Sequence, residues 1–114
     1  MSQRAAAESS LGAMRRRLVI ETPTRAPDAM GGAVETWLPL ATVYGDVIPV
    51  SGAESYQAQR ITGRVTHTIW VRDRPDLNAR HRFRTGTRLF QIHAVLLIGT
   101  LRPRLKCLCE ERDQ

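Results

Sequence analysis

The sequence predicts an all-β fold, a small antiparallel β-barrel or sandwich of about six strands, with one short helix inserted mid-chain and an extended N-terminal arm. Two observations carry that class. Apolar and polar residues alternate with a period of about two rather than about 3.6 along most of the chain. The alternating runs are separated by clusters of Pro, Gly, Asp and Asn, the residues that make turns. At 114 residues the chain has material for one core and not two. The expected division is an arm over residues 1–13 and a single barrel domain over 14–114.

The arm, SQRAAAESSLGA after Met1, is small and polar and shows no sustained periodicity. From Arg15 the pattern RRRLVIETPTR puts Leu18 and Ile20 on one face and Arg17, Val19 and Glu21 on the other, which predicts a first strand, half buried. Pro23, Pro27, Asp28, Gly31 and Gly32 then supply turn chemistry, so a long hairpin is expected to lead into a second strand, AVETWLPL. ATVYGDVIPV predicts a third strand, with Tyr44, Asp46, Ile48 and Val50 opposite Val43, Gly45 and Val47, and with Gly45 marking a bulge or bend.

Ser51 and Glu54 form a capping box and Gly63 stands where a C-terminal glycine cap belongs, predicting a helix over residues 52–62 with a thin apolar stripe. Period two returns in RVTHTIWVRDR, with Val65, His67, Ile69 and Val71 facing one way and Thr66, Thr68, Trp70 and Arg72 the other. PDLNARHRFRTGTR reads as a polar connection with a turn around Gly86. LFQIHAVLLI is the most strand-like run, with Phe90, Ile92, Ala94, Leu96 and Ile98 expected on one face. LRPRLKCLCEE closes the chain, alternating Leu105, Cys107 and Cys109 against Lys106, Leu108 and Glu110.

Composition narrows function less than fold. The longest uninterrupted apolar run, Ala94 to Ile98, is far too short to cross a membrane as a helix, and the N-terminus has no apolar stretch of secretory-signal length. A cytoplasmic chain is therefore expected. The net charge is +6, and of the 17 basic residues only Lys106 is Lys. That excess favours acidic or polyanionic partners by long-range attraction, and Arg in particular suits interfaces between subunits because its planar fork pairs in bidentate fashion.

No catalytic constellation stands out. Cys107 and Cys109, two apart on a strand, point to the same face and cannot bridge each other easily. Zinc held by these cysteines with His67 and His93 lacks tight paired spacing on both sides, so apolar strand cysteines are the better reading. His81 falls in the Arg-rich connection. No enzyme activity, metal or cofactor is expected. Arg72, Arg74, Arg80, Arg82, Arg84 and Arg88 lie within 17 residues and could form a phosphate-contacting stripe, a subunit interface or a solvated loop. Only Phe83 interrupts them, and with aromatics at 5% the base-stacking partners of single-strand binders are scarce. A monomeric basic nucleic-acid-binding β-barrel remains the alternative function.

The order of features says more than any one of them. Gly31-Gly32 before Glu35-Thr36-Trp37, Ser51-Gly52 before Glu54, the Thr66-His67 strand with Arg72, and Leu89-Phe90-Gln91-Ile92 before Val95 together resemble the head-closure, or head-tail joining (stopper), family of tailed phages and gene transfer agents. The likeness spans roughly Arg15 to Glu110, and residues 1–13 depart from it.

The resemblance implies a homo-oligomeric ring in the virion neck, assembled in the bacterial host cytoplasm. Such a ring lies below the portal and adaptor, closes the channel over packaged double-stranded DNA and offers a platform to tail terminator or tail tube proteins. It also implies a channel-facing insertion, for which Ser51, Gly52, Glu54, Tyr56, Gln57, Arg60 and Gly63 are the candidates, and subunit or DNA contacts from the six clustered arginines.

Overall fold

Alternation becomes strand throughout the computed structural model, which describes residues 15–50 and 64–112. Strand β1 (Arg16–Pro27) and strand β2 (Ala33–Pro49) form a long hairpin. Asp28 sets its turn: Oδ1 accepts the backbone N–H groups of Met30 and Gly32, both at 2.9 Å, while Gly31 takes φ +83°. Strands β3 (His67–Arg72), β4 (Arg82–Thr85), β5 (Arg88–Ile98) and β6 (Arg104–Arg112) complete the set. All neighbours are antiparallel, and the sheet closes on itself in the order β1-β2-β3-β6-β5-β4, with β4 returning to β1.

Because strands alternate in direction, the connections sort to two ends. One end carries the β1–β2 turn, the link over 73–81 and the β5–β6 turn over 99–103. At the other end the chain enters β1 at Arg15, leaves β2 at Val50, returns at Arg64, turns at Gly86 and runs out of β6. The expected helix over 52–62, its cap residues and the arm over 1–13 lie outside the described residues.

The barrel interior is a packed core. Leu18, Ile20, Ile69, Val71, Phe83, Phe90, Ile92, Leu105, Cys107 and Cys109 fill it, with Leu77 from the 73–81 link and with Val43, Val47 and Val95 at its margins. A second apolar layer lies on the outer face, where Val65 and Leu108 pack with Val50 and Ala94, and Ile48 packs with Trp70.

Several expectations change, each for a local reason. The anticipated second and third strands are one 17-residue strand, β2. Ile20 opposes Ala41 but Glu21 opposes Pro39, so Leu40 is an extra residue. That bulge reverses which parity faces inward, and two out-of-phase patterns look like two strands. Gly45 marks no bulge. A Cβ there would lie 2.6 Å from the Trp70 carbonyl oxygen and 2.9 Å from Leu18 Cδ1, so any side chain forces its neighbours to shift and glycine is the residue that fits.

The polar Arg-dense connection contains β4, four residues paired to both β1 and β5. β1 runs on through Pro23 and Pro27, each turning its donor-less nitrogen away from β2. Along β5, Ile92 opposes Cys109 and Ala94 opposes Leu108, making His93 a bulge. Phe90 and Ile92 therefore point inward, but Ala94, Leu96 and Ile98 point outward, and Val95 takes their place at the core. Val65, expected beside Ile69 and Val71, packs on the outer layer instead.

Candidate functional site

The arginine cluster is where the sequence placed its strongest functional candidates, and the fold divides it. On the outer face Val19 opposes Arg84 and Glu21 opposes Arg82 across the β1–β4 pair. Glu21, only 3% exposed, sits between the two: Oε1 accepts from Arg82 Nε and Oε2 from Arg84 Nε, each at 2.7 Å. The Arg82 guanidinium also lies 4.1 Å from the centroid of Trp37, opposite Pro23 in the hairpin. One carboxylate thereby consumes two of the six candidates and fastens β4 to the root of the hairpin.

Two more are consumed elsewhere. Arg88 makes a fork to Glu111, with Nε at 2.7 Å and Nη2 at 3.0 Å, and its guanidinium stands over Phe90. This donor pair holds the Glu111 carboxyl below its ordinary value. Arg74 lies 2.8 Å from Asp76 within the same loop. Arg72 and Arg80 are exposed and make no side-chain ion pair among the described residues. The structure thus spreads the six over four separate settings, on Glu21, on Glu111, on Asp76 and in solvent, rather than one continuous stripe. Ser51, Gly52, Glu54, Tyr56, Gln57, Arg60 and Gly63 lie outside the described residues.

The histidines and cysteines take structural places. His67 meets Phe90 edge to face at 5.1 Å, and burial lowers its imidazole below the ordinary value despite the nearby Glu111. His93, on the bulge, has Nε2 2.9 Å from Glu110 Oε1, which keeps that carboxyl low. His81 is buried, and its Nδ1 accepts the backbone N–H of Asn78 at 3.2 Å, which fixes a neutral imidazole; burial lowers its pKa accordingly. Cys107 and Cys109 lie in the core, and desolvation pushes the Cys107 thiol up to about 12 and the Cys109 thiol well above its ordinary value. Among the described residues no group of three His, Cys, Asp or Glu is arranged to hold a metal.

What the sequence reading missed is apolar rather than charged. Met30, Val34, Leu38 and Leu40 are exposed along the hairpin, and Leu96, Leu97, Ile98 and Leu101 are exposed at the β5–β6 end. On β5, counting alternation straight through the bulge at His93 assigned Leu96 and Ile98 to a core face.

A barrel with a filled interior, internally paired arginines and apolar strand ends left in solvent is built as a structural part that works through its surface. The model of the phage head completion protein family matches residues 10–112, and the chain belongs to that family. It is 30% identical over 104 residues to head completion protein gp7 of Enterobacteria phage HK97, covering 87% of this chain and 93% of gp7.

Two solved structures share the fold. Protein SF1141 from Shigella flexneri 2a superposes with a TM-score of 0.66 at 31% identity, covering 90% of this chain and 96% of SF1141. A chain of the virion of a native gene transfer agent particle gives a TM-score of 0.60 at 28% identity, covering 88% of this chain and 96% of that one. Head completion is therefore the role of the family to which this barrel belongs.

Proposed function

We propose that this protein assembles as a ring of identical subunits in the neck of a tailed phage or gene transfer agent particle. The ring sits below the portal and adaptor, closes the DNA channel and gives the tail terminator or tube its platform. The observation that carries this reading is the packed interior: Phe83, Phe90, Leu18 and Ile20 are wholly buried inside the barrel, so no duplex passes through one subunit. A channel for DNA has to be enclosed between copies arranged about an axis. Family membership and the likeness to a virion chain support the same assembly.

The rival reading, a monomeric nucleic-acid-binding barrel, loses support because Arg74, Arg82, Arg84 and Arg88 already hold carboxylates of their own chain. The segment between Val50 and Arg64 leaves and rejoins the barrel at the end opposite the hairpin tip, and we assign it the channel-facing role. Removing residues 53–62 is expected to leave the barrel folded and to release DNA from filled heads.

The direct test images particles with and without the protein. A ring between adaptor and tail, together with DNA loss and absent tails in its absence, is the expected result. Particles that lack the protein yet keep their DNA and bind tails would overturn the proposal.

A further inference from the structure

The hairpin continues beyond the barrel. β4 accompanies β1 only from Val19 to Glu21, so the stretch from Thr22 to Pro27 with its partners Ala33 to Leu38 is a two-stranded arm. Five residue steps at about 3.3 Å give it a reach of roughly 17 Å, comparable to the 25 and 27 Å shorter dimensions of the molecule. A lone two-stranded ribbon is marginal in water, so an arm of this kind calls for a surface to lie on.

Its two faces differ. One carries Arg25 and Glu35 among Pro23, Pro27 and Trp37, with its root held by the Glu21 cluster. The other carries Thr22, Thr24 and Ala26 opposite Leu38, Thr36 and Val34, and has no charged residue. Leu38 on that face is 53% exposed. The β1 edge is unsuited to adding another strand, because Pro23 and Pro27 direct donor-less nitrogens outward and leave Arg25 as the only N–H along it. The β2 edge of the arm is also unpaired, since β3 joins β2 only from Gly45 onward, but the uncharged face is where the arm exposes apolar side chains, Leu38 and Val34.

The same chain carries a matching surface. Leu97 is 61% and Leu101 94% exposed at the end of the β5–β6 hairpin, flanked by the outward-pointing Leu96 and Ile98. From Ala94 to Cys109 this hairpin has no acidic residue and carries Arg102, Arg104 and Lys106, whereas the arm and its turn carry Asp28 and Glu35 against the single Arg25.

The placement of the two surfaces is the stronger argument. In the ring of strands β1 lies opposite β6, and β2 opposite β5, so the arm and the β5–β6 end are on opposite sides of the barrel. Both nevertheless open at the same end. Rotation about an axis running roughly along the barrel brings points of equal height together, and a heterologous contact needs donor and acceptor on opposite flanks. Barrel strands tilt by about 35–45°, so an arm that prolongs them leaves sideways toward a neighbour.

We infer that the uncharged face of the β1–β2 arm docks on the exposed β5–β6 end of the adjacent copy of this chain, and that repetition of this contact closes the ring. The inference rests on the ring assembly proposed above and specifies which surfaces make it.

The test is site-directed crosslinking in assembled particles. Cys107 and Cys109 are buried with thiols held protonated, so thiols introduced by Thr36→Cys and Leu97→Cys are the reactive ones. A thiol-specific bifunctional crosslinker should convert the double variant into a ladder of dimers and higher multiples, while each single variant stays monomeric. A ring visible by electron microscopy with no ladder overturns the docking and spares the ring. Absence of any ring overturns both. Crosslinking of Thr36→Cys to an adaptor or tail protein assigns the arm to another partner and overturns the docking. Leu38→Asp provides the second measure: its thermal unfolding should match the parent, and its incorporation into particles should fall at least tenfold. Incorporation at the parental level overturns the inference.

Discussion

Glu21→Gln tests whether the outer clamp holds the hairpin to the barrel. The carboxylate side chain is 4% exposed and receives two charge-assisted hydrogen bonds of 2.7 Å. Glutamine keeps the shape but supplies one acceptor for two guanidinium donors and removes the charge between two cations. Breaking a buried pair by deleting one partner costs about 3–5 kcal/mol when every group is sequestered. Here Arg82 and Arg84 are 21% and 43% exposed, so solvent screens both after the loss. A cost of about 1.5–3 kcal/mol is the consistent expectation. At about 5 °C per kcal/mol for a domain of this size, the midpoint of thermal unfolding should fall by roughly 10 °C. Urea unfolding of Glu21→Gln, Arg82→Met and the double variant forms a cycle, and a coupling of at least about 1 kcal/mol is expected. A loss below about 0.5 kcal/mol for Glu21→Gln with no coupling to Arg82 would refute the clamp.

Three further outcomes follow from named contacts. Folding holds His81 neutral below its ordinary value of 6.5, so the unfolded chain binds the extra proton first and stability falls as the pH drops from above 6.5 through the lower folded value; His81→Gln should flatten that slope in melts between pH 7.5 and 5, and an unchanged slope contradicts the burial of His81 as its source. Gly45→Ala places a methyl group 2.6 Å from the Trp70 carbonyl oxygen, and overpacking of this kind should cost about 1–3 kcal/mol in denaturant unfolding. If the purified protein binds duplex DNA, Arg72→Gln and Arg80→Gln should each reduce the slope of log K against log salt by about one, while Arg88→Gln, taken from an existing pair with Glu111, should leave it unchanged.

Most strands were legible, and strand phase was legible only up to a bulge. Leu18 and Ile20, Val43 and Val47, and Leu105 with Cys107 and Cys109 face the core as alternation predicts, because no irregularity separates members of each set. The pattern fails where a single extra residue enters. Leu40 and His93 each reverse parity, and neither is a glycine or proline that would announce a bulge. β4 was unreadable for a different reason: with Phe83 its one core residue, it is a strand by virtue of its neighbours β1 and β5 and of the Glu21 carboxylate between its arginines. A carboxylate 61 residues away in sequence from its partner leaves no local signal. The candidate site suffered accordingly, since charge counted along a chain cannot distinguish an arginine awaiting a phosphate from one already holding Glu21 or Glu111.

The two bulges also connect fold to assembly. If β5 kept one parity, Leu96 and Ile98 would continue the inward row begun by Phe90 and Ile92, and the outer face would present Val95 and Leu97. Instead the bulge at His93 retains Val95 for the core and turns Leu96 and Ile98 outward beside Lys106 and Arg104. On β2 the bulge at Leu40 keeps Val43 and Val47 inside while Leu38, Thr36 and Val34 line the face of the arm that prolongs the interior side. Each irregularity leaves the barrel core intact and moves apolar area to the end where the strands outrun their neighbours. Apolar residues placed this way do nothing for an isolated subunit, whose core is complete without them. Their burial becomes favourable only when another molecule covers them, so they add nothing to the folding of the chain by itself and contribute only where a partner surface meets them.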